Sequence, residues 1–533
     1  SMRPQVALLA LALLVPILAG CSAPPPPPRP VLPAEVGYDP TTVEVESVAV
    51  AEHTVTSWDG VTELSVRVYV PTLSAPGKPA LVLAVHGWGG NKEDYEGQQS
   101  YPVANPVGAA AAQGANRLQA LADAGFVTVA YDTRGFGAST GTTTVAGPAE
   151  MADLSFLITW AQETYVTNGR VGVIGNSYGG GHAYNAWADD PRVTTAVPIY
   201  GWVDLYDALV QANVPKLEWA QTLYAYGLGG TGEYDSIIHQ WYSNLYLRGT
   251  PASGDMDLMR AQMDERSSLD RLGAVTKPLL VCQGMEESLF PQIDQAWTGA
   301  GGFTRAYVFR GGHSSAADGC WERALDWFRF FLAGYDTRVD LWPALETVDA
   351  ASDAVTSYAT VPAPVPTAYH LRSGELYQGE GSMADFTIAQ RGVANPITEP
   401  GALWDQTGMP TNALPSQLRQ DPTAIFFQTP ILEGGTLLGA PELTLALQGE
   451  NPTPFQVAAT LLILREDGTS QIVSRGAAAG LLPKDVADGT LPLRLHWTKV
   501  ELNPGDRIQL KLASNDPSWW MPLLANYSVV FDG

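Results

Sequence analysis

Between residues 80 and 332 the chain alternates short apolar runs with segments of helical period. Ala80–Val85, Phe126–Tyr131, Val171–Gly175, Thr195–Ile199, Leu279–Cys282 and Ala306–Phe309 are the apolar runs. A strand that is apolar at nearly every position is buried on both faces. Parallel neighbours need crossover connections, usually helices. Arg117–Ala124, Met151–Glu163, Gly179–Ala188, Gln292–Trp297 and Trp321–Leu332 have the spacing to supply them. The pattern predicts an α/β fold, a mainly parallel sheet covered by helices on both faces. Two strand-like runs precede it, Val43–Thr56 and Val61–Val70, with Asp59-Gly60 as a turn signal between them. From Asp204 to about Arg271 the alternation stops, and Leu, Tyr, Trp and Met recur at helical spacing. An insertion at the carboxyl end of a strand shapes a pocket, so residues 204–271 are expected to form a helical cap.

After Tyr335 the pattern changes. Pro, Ala, Thr and Ser fill 339–400, and from Ala424 onward short runs of period two are separated by turns such as Asp467-Gly468 and Asn503-Pro504-Gly505-Asp506. That is the pattern of an all-β sandwich, here expected to be a jelly roll. The expected organisation is a leader (1–20), a proline-rich tether (21–42), the α/β domain (43–335), and a linker with the sandwich (336–533). The 533 residues suffice for several cores, and 45 % hydrophobic against 16 % charged is a globular balance. A formal charge of −25 repels phosphate backbones, so no nucleic-acid partner is expected. Three cysteines are too few for a disulfide framework or a four-thiolate zinc site, and no metal or cofactor is expected.

Val6 to Leu18 is apolar but too short to span a bilayer. It ends in Leu18-Ala19-Gly20-Cys21, which resembles the lipobox of bacterial lipoprotein signal peptides. The resemblance implies cleavage before Cys21 and a lipid on its sulfur. Pro24–Pro28, Pro30 and Pro33 then read as a stiff spacer. The expectation is an exported cell-envelope protein, attached to a membrane through lipid on its periplasmic or extracellular face.

Gly175-Asn176-Ser177-Tyr178-Gly179 is a G-x-S-x-G sequence between an expected strand and an expected helix. A nucleophile elbow needs that context, because its turn tolerates only small neighbours and holds the serine Oγ clear of the backbone. A serine needs a base. His313, in Arg310-Gly311-Gly312-His313, lies between the last expected strand and the last expected helix. His53, His86, His182, His239, His370 and His496 do not. An acid must orient the imidazole, and it comes between serine and histidine in chain order. Glu287 after the Leu279–Cys282 run is favoured, with Asp204 and Glu286 as the alternatives. Two backbone amides must face the oxyanion. Tyr178, after the nucleophile, is one candidate. Trp88, in His86-Gly87-Trp88-Gly89-Gly90, is the other.

Four segments together resemble the serine hydrolases grouped with Xaa-Pro dipeptidyl peptidases and cocaine esterase. They are Asp132–Gly141 (DTRGFGASTG), the elbow Gly175–Gly180, Gln283–Phe290 (QGMEESLF) and Gly311-Gly312-His313. Arg475-Gly476, Gly505–Ile508 and Leu512–Asp516 continue the resemblance into the C-terminal part, so that it covers nearly all of 43–533. The resemblance implies an α/β-hydrolase with a helical cap, a trailing jelly roll and a Ser-Asp-His triad, mapping onto Ser177, Glu287 and His313. Glutamate here stands where the family usually has aspartate. Several members use a tyrosine hydroxyl as an oxyanion donor just after the third strand. This chain has Trp88 there, so a backbone amide serves or Tyr95 reaches in.

The expected activity is hydrolysis of ester or amide bonds through an acyl-enzyme, on a small-molecule ester or short peptide. It should rise with pH, because only neutral His313 can act as base. Xaa-Pro dipeptidyl peptidase activity is the alternative. It requires a carboxylate for the substrate amine, and Asp207, Glu218, Glu233 and Asp235 are available. A third reading is a non-catalytic surface-binding protein on a hydrolase scaffold. Cys282 and Cys320 either form a bridge or stay as buried thiols. Trp519-Trp520-Met521 packs between the domains, lines the active-site mouth or binds a polymer surface.

Overall fold

A computed structural model describes residues 8–14, 43–75, 77–97, 116–229, 232–247, 253–313, 317–349, 354–360, 362, 366–372, 374–378, 386–390, 424–449, 453–514, 516 and 527–531. Ten strands form the first sheet: β1 (Val45–Thr56), β2 (Glu63–Leu73), β3 (Leu81–Val85), β4 (Val127–Tyr131), β5 (Val171–Asn176), β6 (Val193–Ile199), β7 (Leu279–Gly284), β8 (Thr304–Phe309), β9 (Leu345–Val348) and β10 (Val355–Tyr358). Their spatial order is β1-β2-β4-β3-β5-β6-β7-β8-β9-β10. Neighbours from β4 to β9 are parallel, while β1, β2 and β10 pair antiparallel.

Every residue of β3, β4 and β7 is buried, as their largely apolar sequences lead one to expect. The helices are α1 (Arg117–Asp123), α2 (Pro148–Thr164), α3 (Tyr178–Asp189), α4 (Leu205–Leu209), α5 (Leu217–Gly229), α6 (Ser236–Tyr242), α7 (Ser253–Asp264), α8 (Ile293–Gly299) and α9 (Asp318–Ala333). Two apolar clusters cover the sheet. One joins α2, α3 and α8 to it through Leu157, Trp187 and Ile293. The other joins α1 and α9 through Leu118, Trp327 and Phe328. Between β6 and β7 the chain leaves the sheet for α4–α7. A short hairpin, Val210–Gln211 with Val214–Pro215, links α4 to α5.

The domain boundary expected at residue 335 is corrected by the sheet. β9 pairs parallel with β8, and β10 returns antiparallel on β9, so the first sheet runs on to Tyr358. Both strands are short and lie in a Pro-, Ala- and Thr-rich stretch with no helix between them. α9 supplies the crossover from β8 to β9, but strands of four residues are too short to show a period, so neither stands out in the sequence.

The β-rich C-terminal domain has its own core, including Leu371, Phe427, Leu443, Leu461 and Leu510. Leu8–Leu14, inside the apolar run read as a leader, forms a strand antiparallel to Pro366–Arg372 and Glu442–Ala446 in its sheet. An uncharged Leu/Ala run satisfies a strand position as readily as a leader. Cys21, the tether 21–42 and Trp519-Trp520-Met521 lie outside the described residues. The two domains share apolar surface: Leu438 and Trp497 join the core around Trp297, and Arg494 pairs with Asp294. The insertion's hairpin is attached as well, since the Ala479 amide donates to the Ala212 carbonyl at 3.0 Å and Gln211 Nε2 donates to the Arg494 carbonyl at 2.9 Å.

Candidate active site

Ser177 sits between β5 and α3 with φ 54° and ψ −112°, a conformation that side chains other than glycine rarely adopt. The packing enforces it. A Cβ on Gly175 would lie 2.5 Å from the Gly179 carbonyl oxygen, and one on Gly179 would lie 1.9 Å from that of Val85. The β5–α3 turn thus presses onto the end of β3, and only glycine permits that approach.

Three side chains converge at this turn from three connections. Ser177 Oγ is 2.8 Å from His313 Nε2. His313 Nδ1 is 2.8 Å from Glu287 Oε2. With the proton on Nδ1, the imidazole donates to the carboxylate and accepts from the serine hydroxyl. Glu287 Oε1 accepts from the Leu289 and Phe290 amides at 2.7 and 3.0 Å, so its second oxygen is held by its own loop. Tyr200, Trp219 and Phe290 set ring edges around the imidazole, with centroids 5.0–5.3 Å away. Glu287 and His313 are both buried.

The other acid candidates are engaged elsewhere. Glu286 turns away and accepts from the Gly311 amide at 2.5 Å. Asp204 caps α4 by accepting from the Asp207 amide at 2.9 Å.

The loop after β3 is fixed by His86. Its Nδ1 donates to the Gly87 carbonyl at 2.7 Å, and its Nε2 accepts from the Thr133 amide at 3.0 Å. Burial holds its pKa down at about 4, so the ring is neutral and can accept. Tyr95 does not serve the oxyanion. Its hydroxyl donates to the Val85 carbonyl at 2.6 Å and accepts from the Asn176 amide at 2.9 Å, bracing the elbow instead. Trp88 Nε1 donates to the Leu223 carbonyl in α5 at 2.8 Å.

An apolar cavity opens onto Ser177 between the sheet and α4–α7. Trp88, Trp202, Tyr224, Trp241, Met263 and Phe290 are among its walls. Among the described residues none of its lining side chains is charged. Asp207 and Glu233 do not reach it, and Asp235 caps α6 through the Ile237 amide at 3.0 Å. The Glu218 side chain lies outside the description. No cluster of three or more His, Cys, Asp or Glu among the described residues is placed to hold a metal ion.

Residues 59–313 match the family model of the X-Pro dipeptidyl-peptidase (S15 family), and residues 344–524 match that family's C-terminal non-catalytic domain. The chain belongs to the S15 family. Among curated proteins, an uncharacterized 31.7 kDa protein of Escherichia coli, from a traX-finO intergenic region, is 38 % identical over 106 residues. That match spans 20 % of this chain and 37 % of the relative. Solved structures share the fold over nearly the whole length. An aminopeptidase from a marine sediment Thaumarchaeota archaeon has a TM-score of 0.66 at 13 % identity, covering 96 % of both chains. An α-amino acid ester hydrolase has a TM-score of 0.65 at 13 % identity, covering 96 % of this chain and 97 % of its own. A CocE/NonD family hydrolase from Staphylococcus aureus has a TM-score of 0.64 at 14 % identity, covering 90 and 91 %.

In this S15 chain the described structure also brings in residues that the sequence did not single out. Glu150, buried in the first turn of α2, accepts from the Tyr178 hydroxyl. It also accepts from Thr143 Oγ1 at 2.9 Å and from the amides of Thr144, Ala146 and Gly147 at 2.9–3.1 Å. Burial and the Glu150 carboxylate push the Tyr178 phenol pKa well up, which keeps it a donor. Tyr178, the residue after Ser177, is thereby anchored at its side chain. Pro148 with Glu150 two positions later marks a helix start in the sequence, but nothing there marks a ligand for Tyr178. Cys282 and Cys320 are buried free thiols, and burial pushes the Cys320 pKa well up.

Proposed function

We propose that the protein is a serine hydrolase of the esterase type, acting on uncharged substrates with an apolar acyl group. The apolar cavity opening on Ser177, with no charged lining side chain among the described residues, carries this reading. A dipeptidyl peptidase has to hold a protonated amine, and an amine left in such a cavity without a counter-charge is strongly disfavoured. We read α4–α7 as the cap that walls the acyl site and the β-rich domain as a jelly roll.

Ser177 Oγ attacks the substrate carbonyl while His313 Nε2 takes its proton. Glu287 holds the imidazole in the tautomer that can accept and stabilises the imidazolium that forms. The amides of Tyr178 and Trp88 are the donors for the oxyanion. Collapse of the tetrahedral adduct passes the proton to the leaving alcohol and leaves an acyl-enzyme. Water, activated by the same histidine, releases the carboxylic acid and restores Ser177. In the cell we place the protein outside the cytoplasm, lipidated on Cys21. The mature chain would then lack the Leu8–Leu14 strand.

A side-by-side assay of p-nitrophenyl esters of increasing acyl length and of Xaa-Pro anilides tests the reading. The expected result is ester turnover at least about a hundredfold above anilide turnover in kcat/KM, a difference of about 2.7 kcal/mol in transition-state binding. Preference for a free-amine Xaa-Pro substrate would overturn it.

A further inference from the structure

We propose that Lys216 is a positioning residue for the triad acid, acting on Glu287 through two intervening peptide groups. The inference rests on the Ser177–His313–Glu287 reading of the site. Lys216 lies immediately before α5 and is only 2 % exposed. Its Nζ donates to the Ser288 carbonyl at 2.6 Å and to the Leu289 carbonyl at 2.9 Å. The Ser288 carbonyl and the Leu289 amide are the two ends of one peptide group. The Leu289 carbonyl and the Phe290 amide are the two ends of the next. Those two amides are the ones that bind Glu287 Oε1 at 2.7 and 3.0 Å.

An ammonium therefore stands at the oxygen ends of two consecutive peptide groups, and a carboxylate stands at their N–H ends. Each group is polarised in the sense that strengthens its amide as a donor. In a buried setting such coupling is worth more than it is in water. The arrangement fixes one oxygen of Glu287 and leaves the other for His313. Trp219, in the first turn of α5, adds a third hold on the same loop. Its Nε1 donates to Ser288 Oγ at 2.9 Å, and its ring meets His313 edge-on at 5.2 Å. A lysine serving only to fill space here would incur the desolvation of a charge that methionine avoids.

The test uses the full chain with Lys216→Met, Lys216→Gln and Lys216→Arg. Each is compared by melting temperature, by kcat and KM on a p-nitrophenyl ester, and by the rate of fluorophosphonate labelling of Ser177. Lys216→Met is expected to lower kcat about 10–100-fold, the span of a lost charge-assisted hydrogen bond. KM should stay within about threefold, because Lys216 does not line the cavity. Lys216→Arg should recover kcat to within about fivefold, and Lys216→Gln, which donates without charge, should fall between. A folded Lys216→Met variant with wild-type kcat overturns the proposal. If that variant does not fold, Lys216→Gln decides, and wild-type kcat in it overturns the proposal equally. Labelling that depends on His313 but ignores Lys216 removes the proposal alone. Labelling that ignores His313→Ala removes the triad reading and the proposal with it.

Discussion

Trp88 Nε1 donates to the Leu223 carbonyl at 2.8 Å, which ties the loop after β3 to helix α5. The same indole packs edge-on against Tyr178 with ring centroids 5.3 Å apart, so both proposed oxyanion residues share one contact. Trp88→Phe keeps a ring and removes the donor. The Leu223 carbonyl, in a helix that walls the cavity, then loses that bond. We expect kcat/KM to fall about tenfold, mostly in kcat, the order of one hydrogen bond to a placed group. Steady-state kinetics on the preferred ester measure it.

Glu287→Gln and Glu286→Gln separate two adjacent carboxylates. A glutamine at 287 can accept from the Leu289 and Phe290 amides, but it turns an NH2 toward Nδ1 of His313. The imidazole is then driven to the wrong tautomer, and kcat should drop about 10³–10⁴-fold. Glu286→Gln should stay within a few-fold, because Glu286 meets the Gly311 amide rather than the base. Ser177→Ala sets the floor, at about 10⁴–10⁶-fold below wild type. Equal losses at 286 and 287 would refute the assignment.

Gly179→Ala tests the elbow. Its Cβ would meet the Val85 carbonyl oxygen at 1.9 Å, and the nearest atoms around it are all backbone, of Val85 and His86. We expect destabilisation of at least about 3 kcal/mol, or failure to fold, since neither side can yield without moving β3 or α3. Urea denaturation followed by tryptophan fluorescence reports it.

Acid should weaken the protein before it protonates surface carboxylates. His86 has a folded pKa of about 4 because of its burial, below the usual 6.5. Between those values the unfolded chain binds a proton that the folded chain refuses. Stability is therefore full above pH 6.5, falls as the pH drops toward 4 by up to roughly 3 kcal/mol from this residue, and levels off below. Burial likewise lowers His182, and lowers His496 well below its ordinary value, so both act in the same direction. Urea midpoints at pH 7.5 and 4.5 should differ in wild type and differ less in His86→Gln.

Much of the site can be read from residue types because its parts are local. The unbroken run at Leu81–Val85 is a buried strand, and the small residues around Ser177 mark the elbow before any coordinate is known. Gly311-Gly312-His313 marks the candidate base by its place between strand and helix. Glu286 and Glu287 are indistinguishable in sequence, since a turn of the backbone decides which side chain meets the imidazole. Lys216 left no trace. Its partners are main-chain carbonyls some seventy residues away, and a carbonyl carries no sequence signature. β9 and β10 escaped for another reason, being too short to show a period.

The Ala479 amide reaches the Ala212 carbonyl, and Gln211 reaches that of Arg494, within the hairpin that ends next to Lys216. The β-rich domain lines none of the described cavity, yet with Lys216 in its proposed role it becomes the abutment on which the mounting of Glu287 rests. The chain is therefore not modular in the way its two family matches suggest. A hydrolase excised at Tyr358 would keep its nucleophile and base but lose the footing of its acid. Exchanging the β-rich domain with a relative would retune turnover without altering a single residue of the substrate cavity.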